Sequence, residues 1–69
     1  MVVSPVEVHA VTSRIRQEFI EMPGLRLTVK QAARLWGLDL AACEYVIDIL
    51  VRAAFLRWTT AGAIARIDG

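Results

Sequence analysis

The chain has 69 residues, and a protein of this length buries only about 60% of the surface its unfolded form exposes, which fits one domain of modest stability spanning 1–69. Apolar residues make up 57%, more than one small core conceals, so some must face solvent or another chain, while a net charge of +1 points neither toward nor away from a polyanionic partner. One cysteine, Cys43, and one histidine, His9, exclude an internal disulfide and a Cys/His metal set, and a reducing, cytoplasmic setting is expected.

Ser4-Pro5-Val6-Glu7 combines a capping serine, a proline at the first helical position and a glutamate three residues after the cap, so a helix is predicted from about 5 to 22. Val8, Val11, Ile15, Phe19 and Met22 recur at helical spacing and form its apolar stripe, with Arg14, Glu18 and Glu21 away from it. Pro23-Gly24 ends the helix. Leu25-Arg26-Leu27 alternates and is consistent with a brief strand. Thr28 with Gln31 three residues later is a capping box that opens a second helix at about 29–36, with Val29, Ala32, Ala33 and Trp36 on one side.

Gly37 provides the left-handed stop, Leu38 is an apolar plug, and Asp39 caps a third helix at about 40–54. Its inner stripe is Cys43, Val46, Ile47, Leu50 and Ala54; its far side shows Ala41, Glu44, Tyr45, Asp48 and Arg52. Ile49 and Val51, with Leu35 and Leu40 beside the turn, read as outward apolar positions fit for a contact surface. From Phe55 the pattern changes to two β-rich segments around Thr60-Ala61-Gly62, a hairpin at about 55–67. The fold class is therefore mainly α with a small β-hairpin.

Charge is unevenly placed. Arg26, Lys30 and Arg34 stand unopposed in residues 24–38, whereas Asp39, Glu44 and Asp48 outnumber Arg52 in residues 39–54. No Ser or Cys has a motif-spaced histidine and no glycine-rich phosphate loop follows a strand, so no enzyme, cofactor or metal is expected. Cys43 reads as a small apolar core residue and His9 as a partly exposed helix residue. The N-terminus lacks the pattern of an export signal, and the run from Tyr45 to Leu56 is broken by Asp48 and Arg52, so no membrane span is expected.

The stretch LTVKQAARLWGLDLAACEYVIDILVRAAFLRW resembles the core of bacterial winged helix-turn-helix domains: a Leu-Thr start, a small residue within the second helix, Gly-Leu at the turn, and Leu-x-x-x-Phe-Leu after the third helix. It also resembles short bacterial proteins with a Met-Pro-Gly-Leu segment ahead of that core. The resemblance covers about residues 23–67 and implies three helices plus a wing, with Ala33 where the second and third helices cross and Trp36 in a core site.

It further implies a homodimeric transcription regulator that binds double-stranded DNA, with the third helix as reader. Leu40, Ala41, Ala42, Glu44 and Tyr45 are then expected on its groove-facing side, with Thr28, Lys30, Arg34 and Arg57 as phosphate contacts helped by Arg26, and Val6 and Ile20 in a dimer interface. Ala54 stands where the family usually has glycine, and two outcomes are open there: a left-handed exit from the third helix, which Ala54→Gly would stabilise, or a helix that continues through it, which the same change would destabilise. Base readers are generally Arg, Lys, Asn or Gln, and none occupies the outer face of the first two turns, so phosphate contact rather than base readout is the expected mode. The alternative is a winged-helix interaction module that uses its apolar surface to bind protein.

Overall fold

The computed structural model describes the backbone of residues 5–67 and the side chains of residues 8–67; Ser4, as a cap, and the side chain of Val6 lie outside the described residues. Helix α1 (Pro5–Glu21) leads into strand β1 (Arg26–Thr28), helices α2 (Val29–Trp36) and α3 (Leu40–Arg52), and strands β2 (Leu56–Trp58) and β3 (Ala63–Arg66). The three strands form one antiparallel sheet in the order β1-β3-β2. The hairpin expected at 55–67 is thus the β2–β3 pair, and the brief segment around Arg26 is a third strand on its other edge.

Helix α1 buries Ile15 and Phe19 completely, with Val11 packed alongside, as the spacing of its stripe requires. Met22 does not belong to that stripe: the helix ends at Glu21 and the side chain is half exposed. The Met22 amide still donates to the Glu18 carbonyl, and the Leu25 amide closes the Pro23-Gly24 turn on the Met22 carbonyl at 2.9 Å. Phe19 meets Phe55 edge to face at 6.5 Å and the Arg16 guanidinium lies 5.4 Å from the Phe55 ring centre, so the end of α1 is held over the start of β2.

The capping box forms as expected: the Gln31 amide donates to Thr28 Oγ1 at 3.2 Å, and the Thr28 amide donates to Gln31 Oε1 at 2.9 Å. Gly37 is left-handed at φ 68°, and the Leu38 amide returns to the Ala33 carbonyl at 2.9 Å, ending α2 and aiming the chain into α3. Asp39 caps α3 by accepting from the Ala42 amide at 2.7 Å. Ala32, Ala33 and Trp36 of α2 meet Cys43, Val46, Ile47 and Leu50 of α3 in the core, which Leu56 and Ile64 of the sheet close. Small residues at 32 and 33 let the two helices approach.

The third helix departs from expectation at three places. It ends at Arg52, two residues early, and Ala54 is exposed rather than on the inner stripe because it is left-handed at φ 59° and leaves the helical path. Val51 packs against the core and Ile49 is half-buried, so neither stands fully outward. Ala42, expected among the exposed groove-facing residues, is only 7% exposed, because the helix, which starts at Leu40, has by its third residue turned toward the core.

Candidate nucleic-acid interface

The residues expected to hold phosphates are exposed: Thr28, Lys30, Arg34 and Arg57. Thr28 closes β1 and caps α2, Lys30 stands in the first turn of α2, and Arg34 follows one helical turn later on the same side. Arg26, expected to help them, is exposed on β1. In register, Arg26 pairs with Ala65 and Ala65 with Arg57, so the three share one face of the sheet. Two strand spacings put the Cα atoms of the arginines about 10 Å apart. The opposite row, Leu27 with Ile64, faces the core.

Charge is divided by element. Residues 22–38 and 55–67 contain Arg26, Lys30, Arg34, Arg57 and Arg66 and no acid, whereas α1 and α3 with its cap carry six acids against Arg14, Arg16 and Arg52. Arg52 is engaged locally, its Nε lying 2.9 Å from Asp48 Oδ2, which is the one ion pair among the described residues. Arg14 reaches the carbonyl of Trp36 at 3.4 Å, a cation at the C-terminal end of α2. The outer face of α3 therefore offers Leu40, Ala41, Glu44, Tyr45 and Asp48, with Ala42 withdrawn into the core. The cations that stand without acids in their own elements belong to the sheet and α2, not to α3.

The pairing of Arg26 with Arg57 across β3 was not visible in the sequence, because it depends on β1 joining the far edge of the hairpin. Trp58 follows Arg57 on β2 but pairs with Ile64, so it lies half exposed on the opposite face of the sheet. Of the two residues expected at a dimer interface, Ile20 is 49% exposed, and Val6 lies on α1 with its side chain outside the described residues.

Cys43 is fully buried, and its thiol donates to the Val29 carbonyl at 3.7 Å. Burial, with a smaller contribution from the Glu44 carboxylate, pushes that thiol up to about 11, the opposite of what a nucleophile requires. Among the described residues no group of three or more His, Cys, Asp or Glu side chains could hold a metal ion, and no helix is long and apolar enough to cross a membrane. Comparison of the chain with protein-family models, curated protein sequences and solved structures finds no match.

Proposed function

We propose that this protein is a small winged helix-turn-helix domain, a bacterial cytoplasmic transcription regulator that binds double-stranded DNA mainly through phosphate contacts and works as a homodimer. The fold reading is supported by the element order and by β1 pairing with β3 on the far edge of the β2–β3 hairpin. The observation that carries the function is the charge division: every cation of β1, α2, β2 and β3 stands without an acid among them. Arg and Lys without neighbouring acids attract a polyanion and release its counterions, whereas Glu44 and Asp48 on α3 oppose deep entry of that helix into a groove.

Binding measured by fluorescence anisotropy on unrelated duplexes is expected to fall steeply with salt and to differ little among sequences. Lys30→Glu combined with Arg57→Glu should weaken every duplex alike, and Tyr45→Ala should have a smaller effect. Absence of binding at low salt refutes the proposal, and one duplex bound far more tightly than the rest refutes the phosphate-only mode. A second reading, an interaction module that binds protein, is favoured by the exposure of Leu35 and Leu40, 56% and 49%, on either side of the α2–α3 turn.

A further inference from the structure

The α2–α3 corner forms an open groove of about 350 Å³ lined by Lys30, Ala33, Arg34, Leu38, Asp39 and Leu40. Its floor follows from the way α2 stops. The bond from the Leu38 amide to the Ala33 carbonyl folds Leu38 back over Ala33, giving an apolar base that Leu40 extends from the first turn of α3. Its rim is cationic. Lys30 and Arg34 are exposed, stand one helical turn apart, and have no ion pair among the described residues. The one acid in the lining, Asp39, directs a carboxylate oxygen to the Ala42 amide at 2.7 Å and serves as the cap of α3.

We propose that this groove binds an acidic amphipathic helix of a partner protein. Leucine or phenylalanine side chains of that helix rest on Ala33, Leu38 and Leu40, and carboxylates one turn apart on the partner face Lys30 and Arg34. The chemistry of the groove selects this occupant. A phosphate backbone satisfies the two cations and leaves Leu38 and Leu40 uncovered, and a neutral apolar segment covers the leucines while stripping water from two unpaired cations. Four of the six lining residues are exposed, so the site is too open to bury most of a small ligand, and an extended partner covers it better. Carboxylates spaced i, i+4 on a helix match the spacing of Lys30 and Arg34, which stand in the same relation on α2.

This inference does not rest on duplex binding, and the two are separable because Arg57 is on the sheet, outside the groove. The probe is a fluorescein-labelled helical peptide of about fifteen residues with glutamates at i, i+4 beside a leucine stripe, compared with the same peptide in which serine replaces each leucine. The leucine peptide is expected to bind at least about tenfold more tightly, the factor that one further buried leucine side chain supplies. Leu40→Ser should remove about that factor. Lys30→Gln with Arg34→Gln should weaken the peptide, whereas Arg57→Gln should not.

Amide shift changes on the unsubstituted protein should centre on residues 30–41, a reading that needs no variant to fold. Equal binding of the leucine and serine peptides, no effect of Leu40→Ser, or shift changes centred on the sheet would each overturn the proposal. So would binding to anionic phosphatidylglycerol vesicles with none to the peptide, which assigns the groove to a lipid surface.

Discussion

Replacing Ala54 with glycine should stabilise this protein. Helix α3 ends in two linked backbone bonds, from the Ala54 amide to the Val51 carbonyl and from the Phe55 amide to the Leu50 carbonyl, both 3.0 Å. This pairing requires a left-handed residue between them, and Ala54 supplies it at φ 59°. A Cβ in that conformation costs about 1–2 kcal/mol. Glycine removes the cost but gives the unfolded chain more freedom, which offsets about 0.4–1 kcal/mol. Ala54 is exposed, so its methyl group contributes no core packing to lose.

The net expectation for Ala54→Gly is a gain of about 0.5–1 kcal/mol, read in a denaturant melt as a higher midpoint at unchanged slope, or in a thermal melt as a rise of roughly 2–8 °C. Ala53→Gly is the control. Ala53 has φ −78° and ψ 3°, which alanine adopts without strain, so glycine there should destabilise by about 0.5–1 kcal/mol. Loss of stability in Ala54→Gly, or a gain in both variants, would refute the account of how α3 ends.

Thr28→Ala removes one half of the capping box and should cost about 1 kcal/mol in the same melt, with helix content lost from α2 first. Cys43 carries a raised thiol value, so the folded state keeps its proton where the unfolded chain, near 9.0, has lost it; stability should hold below about pH 9 and fall as pH rises toward 11. A pH series of urea melts checks this against Cys43→Ala, which should lack the decline attributable to the thiol. Light scattering coupled to size exclusion should give twice the chain mass at micromolar concentration, and Ile20→Glu, at a half-exposed site on α1, should shift it to monomer.

Much of the helical layout was legible because its signals are local. Thr28 and Gln31 announce α2, Gly37 ends it, and Asp39 opens α3, each acting through bonds within a few residues, and the observed boundaries of α2 match the expected ones. Ala42 was misplaced because its neighbour Ala41 is exposed and the two are chemically identical; which alanine turns inward depends on the rotation of α3 against α2. Met22 fits the helical period and yet leaves it, since Pro23-Gly24 draws the chain out of the helix one residue sooner than the spacing implies. The cationic row across the sheet was invisible for another reason. Arg26 and Arg57 are brought together by β3, and no short-range pattern encodes a pairing that spans two helices.

Among the described residues, strand β3 is the one partner of both β1 and β2, so both edges of the sheet depend on it. Losing Ala63–Arg66 from the ladder releases Arg26–Thr28 and Leu56–Trp58 together, although α2 and α3 lie between them in the chain. Closing so distant a pair costs chain entropy that local helices do not bear, so the sheet should assemble after the helices have docked. In native-state hydrogen exchange, the β1 and β2 amides bonded to β3 should therefore open as one cooperative unit with a single free energy, distinct from that of the α2–α3 pair.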